Sequence, residues 1–186
     1  MNSLINTIQV SNRYPFSSLD VVNEMILPRA NKAILNGHIP DLRFVLADLF
    51  ESLNIANPPY SALQFLLVLQ SVQDKIHPGM LHKFLSNPER NHVLIENELM
   101  KVVLIRWEKG FIGNIHGHPK GGCVFKVLRG SLEEMRYTKE ESPKLLSVSV
   151  YQKDAMTYID DRIGLHAVGN PFDEPAISLH VYTPGQ

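Results

Sequence analysis

The periodicity of the chain changes near residue 90, and that change sets what the sequence can fold into. Downstream, apolar and polar residues alternate with a period of two, in short runs closed by turn residues. The pattern predicts strands at 92–96, 100–107, 123–128, 131–137, 145–151, 156–160, 166–169 and 177–182. Between them lie Lys109-Gly110, the stretch from Pro119 to Gly122, Arg129-Gly130, a polar run over 138–144, and Gly169-Asn170-Pro171. Many short strands with closely spaced turns argue for an antiparallel sandwich or barrel.

Upstream the period is helical. Ser17 with Asp20 three residues on resembles a capping box and opens a helix over 19–27, which Pro28 interrupts. Asp41 opens a second, where Leu42, Val45, Leu46, Leu49 and Leu53 recur at i, i+3, i+4 spacing before Pro58-Pro59. A third stretch, 62–72, is more apolar (Leu63, Phe65, Leu66, Leu67, Leu69) and reads as a helix packed on more than one side. A short fourth, 80–84, ends before Asn87-Pro88. No repeat or low-complexity tract divides the chain. The expectation is one domain over 1–186, mainly β: a helical N-terminal cap over 1–88 covering a β-barrel over 89–186.

Composition removes several function classes. Eighteen Lys+Arg against 19 Asp+Glu leave a formal charge of −1, so no basic surplus points to nucleic acid or an anionic membrane. The longest apolar runs, at 65–69 and 102–105, are far short of the roughly 18 residues of a bilayer span. The N-terminal residues lack the charged and apolar regions of a secretory signal. One cysteine, Cys123, excludes an intrachain disulfide and a Cys-rich zinc site, which fits a reducing, cytoplasmic setting.

Of the eight histidines, four lie scattered in the first half. The others, His116, His118, His166 and His180, all fall on predicted strands or their edges. A strand period of two sends His116 and His118 to one face, where they can share a metal. His166 is the leading third ligand. The bland reading is an exposed histidine pair on a hairpin. Against it stands the spacing: Gly110, five residues, His116-x-His118, four residues, Cys123, six residues, Gly130. This resembles the first cupin motif, with Cys123 where cupins usually carry Glu. The second cupin motif is degenerate: His166 and Asn170 survive, but Ala155, Asp161 and Ile163 replace Gly, Pro and Gly. Three neutral imidazoles suit Fe, Ni, Cu or Zn, and ligand type alone does not choose among them.

From about Arg90 to Tyr182 the chain resembles the cysteine dioxygenase family. The resemblance is carried by Arg90-Asn91, Trp107, Gly110, Ile115-His116-x-His118, Cys123, Leu128-x-Gly130-x-Leu132-x-Glu134, Tyr158-Ile159-x-Asp161, Ile163-Gly164-Leu165-His166-x-Val168-x-Asn170, and Glu174-Pro175-Ala176-x-Ser178-Leu179-His180-x-Tyr182. It implies a jelly-roll-like cupin barrel using Fe(II) to add both atoms of O2 to the sulfur of L-cysteine, as a monomer or weak homo-oligomer. By position it implies that His116, His118 and His166 hold the iron and that Arg90 clamps the substrate carboxylate. A guanidinium suits that task because it offers paired donors in fixed geometry. It also implies that Tyr182 lies near substrate and oxygen, with His180 and Ser178 behind it. Without the resemblance, Arg90 would read as a surface ion-pair partner and Tyr182 and His180 as core residues. Trp107 reads as packing in the barrel interior. Cys123 matches the residue that forms a thioether with the pocket tyrosine, here Tyr182. A small buried hydrophobe and a redox-sensing thiol are its other readings.

The chain also departs from the family. Pro88 stands where members often carry a tyrosine, and Lys120 adds a positive charge near the expected mouth. The sequence ends four residues after Tyr182, where animal members continue, which implies a more open pocket and a looser thiol preference. It also starts earlier relative to the motif. A branch acting on 3-mercaptopropionate usually has Gln at the position of Arg90, which favours cysteine. A metal-binding cupin without catalysis is the remaining alternative.

Overall fold

The computed structural model describes residues 42–55 and 60–184. The helix expected over 19–27, its Ser17–Asp20 start and Asp41 lie outside the described residues. Helix α1 spans Leu42–Ile55 and buries Leu42, Val45, Leu46 and Leu49, the stripe its spacing predicts. A 3-10 turn at Ala62–Phe65 runs into α2, Leu66–Lys75. Ser61 caps the turn, its hydroxyl accepting from the Leu63 amide at 3.3 Å. Together they bury Ala62, Phe65, Leu69 and Val72 along one face, while Leu67 is 79% exposed and Leu63 44%. The reading of this stretch as packed on several sides is therefore corrected: high apolar content did not mean all-round burial. Helix α3, Pro78–Phe84, starts earlier than expected. His77 is its N-cap and Pro78 takes the first turn, where a missing N–H costs nothing.

Nine strands follow: β1 Asn91–Glu96, β2 Lys101–Trp107, β3 Phe111–Ile112, β4 Cys123–Arg129, β5 Ser131–Tyr137, β6 Leu145–Gln152, β7 Met156–Ile159, β8 Leu165–Asn170 and β9 Ala176–Tyr182. Eight match the expected strands within two residues at each end, and β3 was not foreseen. They form two antiparallel sheets, ordered β1-β2-β9-β4-β7 and β3-β8-β5-β6. Gly130, at φ +72°, makes the tight β4–β5 turn, and a Cβ there would press on Ala176.

The alternation in β4 explains how the layers stack. Val124 and Leu128 face the helices in one core with Leu46, Phe65, Leu69 and Phe84. Phe125 and Val127 face the second sheet in another, with Trp107, Leu132, Val168 and Ala176. Strand β9 divides likewise: Ile177, Leu179 and Val181 join the helical core, which leaves Ser178, His180 and Tyr182 for the space between the sheets. Lys126 breaks the apolar rule on the helical side. Its buried ammonium donates to the Gln70 carbonyl of α2 at 3.0 Å and lies 3.6 Å from Asp154. Among the described residues no helix is long and apolar enough to cross a membrane.

Candidate metal centre and active site

The site lies where the two sheets open. His116 is not on a regular strand, as its spacing suggested, but forms an isolated antiparallel bridge with His166 of β8. The bridge is reciprocal, each backbone amide donating to the other's carbonyl at 2.9 Å. His118 lies two residues on in the following loop. The convergence survives although the element does not: ligating nitrogens of His116, His118 and His166 all lie within 4.8 Å of one another. His118 and His166 are buried and His116 is exposed, so the cluster faces outward through His116.

Hydrogen bonds fix which nitrogen each ring can offer. His116 Nδ1–H donates to the Asn114 carbonyl at 2.9 Å, leaving Nε2 as a lone pair. His166 Nδ1 faces the Glu134 carboxylate at 2.7 Å, which again leaves Nε2. The Nε2 atoms of His118 and His166 stand 2.7 Å apart. Two nitrogens bound at right angles to one ion at about 2.1 Å would be about 3 Å apart, so this spacing fits a shared metal. Burial, then the neighbouring His166 and His116 rings, holds the pKa of His118 down to about 3. His166 is also lowered, chiefly by burial, with Glu134 opposing. Both rings are therefore neutral at ordinary pH, the state a metal ligand needs.

Glu134 is the residue that the sequence reading left without a role. It sits on β5 on the same side as Leu132 and is fully buried. Besides His166 it accepts from Arg136 Nε at 3.1 Å, Tyr151 Oη at 3.1 Å and Thr157 Oγ1 at 3.2 Å. Burial opposes its ionisation, but the His166 bond and the Arg136 charge prevail and hold the carboxyl below its usual range. A carboxylate behind a metal-binding imidazole fixes the ring and raises its basicity. The signal was strand parity: a carboxylate two residues after an inward leucine.

Beside the cluster lies a second group. Cys123 and Tyr182 are direct cross-strand partners in the β4–β9 register. Tyr182 stacks on His118 with ring centroids 5.6 Å apart. Its hydroxyl is 3.4 Å from His180 Nδ1, and the Cys123 sulfur is 3.9 Å from the same atom. Ser178 Oγ lies 2.8 Å from His180 Nε2 and accepts from Trp107 Nε1 at 2.8 Å. Burial pushes the Cys123 thiol and the Tyr182 phenol well up, and burial, then the neighbouring His166 and His118, pushes His180 well down. All three are neutral.

Arg90 immediately precedes β1. Its guanidinium lies 3.5 Å from the centre of the Phe111 ring, and its buried Nε has no hydrogen-bond partner among the described residues. Phe111 contacts Trp107, which in turn contacts His180. Arg90 thus joins the group through aromatic rings and not through an ion pair. Lys120 is exposed on the loop after His118. That loop is clasped by three backbone hydrogen bonds from two segments: Ala62 N donates to Gly121 O, Gly121 N to Pro184 O, and Thr183 N to Gly122 O. Gly122 has φ +79°, and a Cβ there would fall 2.6 Å from the Tyr158 ring, so only glycine lets β4 start beside Tyr158.

A profile of the family described as cysteine dioxygenase type I matches residues 80–186. This chain belongs to the type I cysteine dioxygenase family. The human and zebrafish (Danio rerio) proteins named cysteine dioxygenase type 1 are each 35% identical to it, over 100 and 101 residues. Each match covers 51% of this chain and 50% of the relative, so the similarity spans about half the length of these relatives. Among solved structures, a cupin-2 domain protein from Shewanella frigidimarina covers 55% of this chain and 90% of its own at 17% identity and TM-score 0.42. The BH2720 protein of Bacillus halodurans covers 56% and 77% at 18% identity and TM-score 0.48. In this cysteine dioxygenase family member the two antiparallel sheets enclose the histidine cluster.

Proposed function

We propose that the protein is an iron(II)-dependent thiol dioxygenase that converts L-cysteine and O2 to cysteine sulfinic acid. The observation that carries the reading is the cluster of His116, His118 and His166 beside Tyr182, His180 and Cys123, in a chain of this family. These three imidazoles would hold Fe(II). Bound there, iron would supply the open positions at which a thiolate and O2 meet. Both oxygen atoms end on sulfur and sulfur supplies all four electrons, so no external reductant is required.

The remaining steps belong to the chain. Arg90 would bind the substrate carboxylate. The Phe111 ring holds its guanidinium by cation–π contact, and the unpartnered Nε gives it unused donor capacity. Tyr182 Oη would hold a proton beside the reacting sulfur and oxygen, and its raised pKa keeps that proton in place at neutral pH. His180 and Ser178 would keep the phenol aimed. The apolar wall of Phe125 and Trp107 would exclude water.

The cross-strand pairing of Cys123 with Tyr182 supports a further covalent step. A carbon–sulfur bond between Cys123 Sγ and the Tyr182 ring would release two hydrogen atoms, with their electrons passing to O2. Turnover of cysteine by iron-loaded protein should then lower the intact mass by two hydrogens and remove Cys123 from alkylation. An unchanged mass with Cys123 fully alkylatable after denaturation would sink the cross-link.

Metal analysis paired with oxygen-electrode traces on a thiol panel tests the activity. Brisk uptake with cysteine is expected, and loss of both iron and uptake in His166→Ala. Uptake with 3-mercaptopropionate alone would overturn the substrate. Stoichiometric iron without any thiol-dependent uptake would make the protein a binding cupin.

A further inference from the structure

The single tryptophan has a use that packing does not explain. Trp107 is buried on β2, and its indole N–H donates to Ser178 Oγ at 2.8 Å. An indole nitrogen is a donor only, so the serine oxygen must accept. A hydroxyl carries one proton, and the other group within reach of Ser178 Oγ is His180 Nε2 at 2.8 Å. Accepting from both nitrogens would leave the buried serine proton without an acceptor among the described residues, so the proton points at Nε2. Among the described residues His180 has no carboxylate partner, and it stacks on Phe125 with ring centroids 4.8 Å apart. In a neutral ring, Nε2 accepting leaves the proton on Nδ1. Nδ1 is the atom that faces Tyr182 Oη at 3.4 Å and the Cys123 sulfur at 3.9 Å.

We propose that Trp107 is a positioning residue that sets the direction of the whole chain: indole N–H to Ser178, Ser178 O–H to His180 Nε2, His180 Nδ1–H to Tyr182. The direction matters because it makes the Tyr182 oxygen an acceptor from behind and leaves its own hydrogen for the Cys123 sulfur beside it or for a ligand in the pocket. A reversed chain would turn the phenol back towards His180 and leave nothing to donate into the pocket. A serine between two nitrogens has no preferred direction by itself. A donor-only partner at one end removes the ambiguity. The register of β2 on β9, with Ile105 opposite Ser178 and Trp107 opposite Ala176, brings the indole nitrogen to the serine across the strand boundary.

The catalytic consequence rests on the dioxygenase reading, but the tautomer does not, and the two can be tested apart. In histidine-15N-labelled protein loaded with diamagnetic zinc, and again without metal, His180 is identified by the signal missing from His180→Gln. The wild type should show His180 almost wholly as the Nδ1–H form. Trp107→Phe keeps an aromatic ring and deletes the donor, so the Nε2–H form should rise until both are visible, a loss of about tenfold in bias. Ser178→Ala should relax the tautomer equally and speed hydrogen exchange at the one indole N–H, which keeps the test available if Trp107→Phe does not fold. An Nε2–H wild type, or a tautomer unmoved in both variants, would overturn the proposal. Where thiol-dependent oxygen uptake is present, Trp107→Phe should lower kcat with the KM for cysteine little changed. Absence of uptake in the wild type would remove the dioxygenase reading and leave the tautomer result standing.

Discussion

Replacing Glu134 by Gln is the most direct probe of the metal centre, because the change is nearly isosteric and everything around it is fixed. The carboxylate spends one oxygen on His166 Nδ1 and the other on Arg136, Thr157 and Tyr151. A glutamine has one acceptor and one donor end. With its oxygen towards His166, its NH2 meets three donors, and Arg136 loses a buried counter-charge. Turned over, it offers NH2 to His166 Nδ1, which must then accept, moving the ring proton to Nε2 and blocking the ligating atom. Either outcome forfeits a charge-assisted hydrogen bond, about 1.5–3 kcal/mol. Through a metal-bound ring this corresponds to a loss of roughly 10- to 100-fold in affinity. Competition of zinc or iron against a chromophoric chelator measures it without reference to turnover. Circular dichroism and the thermal midpoint of the metal-free variant establish that the fold persists. Glu134→Asp, which keeps the charge, should recover part of the loss. Affinity within threefold of wild type in a folded Glu134→Gln protein would refute the role assigned to this carboxylate.

Two other substitutions separate the remaining parts. Arg90→Ala should raise the KM for cysteine by about 10- to 100-fold and leave that for cysteamine, which has no carboxylate, nearly unchanged; equal effects on both thiols would remove Arg90 from carboxylate binding. Asp160 accepts from Arg162, Tyr158 and the amides of Arg162 and Ile163, and the Arg162 bond above all holds its pKa down to about 2. Its folded pKa lies below the unfolded value near 3.9, so its contribution is complete above about pH 4 and is lost as pH falls towards 2. Asp160→Asn should cost about 1–3 kcal/mol at neutral pH and narrow the gap to wild type across that window; denaturation curves that stay parallel from pH 5 to pH 2 would refute this.

Much of this architecture is legible in the sequence because most strands bury one face more than the other. Strand β5 is an example: its alternation marks Leu132 as inward, and parity then carries Glu134 and Arg136 to the same side. Parity alone gives Glu134 no role, because a Glu and an Arg two residues apart on a strand are as readily a solvated pair. Only burial, at 0% exposure for Glu134, distinguishes the two cases. Strand β3 escaped because two residues cannot display a period. It is held by pairing to β8 and not by its own pattern. Leu67 misled for a different reason: apolar content reports what a side chain prefers, while exposure depends on neighbours contributed from elsewhere. The Trp107–Ser178 bond spans 71 residues of chain and has no local signature. The histidine cluster is intermediate. The spacing of His116 and His118 was informative even though the segment is a bridge and a loop, because the reciprocal bond to His166 imposes strand-like geometry at the one residue where it is needed.

The distribution of charge around the histidines gives the site its chemical character. The usual cupin pattern places a carboxylate among the ligands, at the position held here by Cys123. Cys123 supplies no charge in its place, because burial keeps its thiol protonated. The carboxylate instead stands behind His166, ionised and four times hydrogen-bonded. A negative charge there strengthens the imidazole as a ligand without occupying a metal position or repelling an incoming anion at close range. A dication held there by three neutral rings would keep most of its charge, partly offset by Glu134 behind His166, and its near neighbours Cys123, His180 and Tyr182 are neutral. Such a centre would favour an anionic ligand over water. Of the groups on a small amino acid, a thiolate is the one that such a centre would draw in by losing a proton. The neutral ligand set and the displaced carboxylate thus act together, and in the proposed dioxygenase they would favour binding of the substrate as an anion, by electrostatics before any shape complementarity is considered.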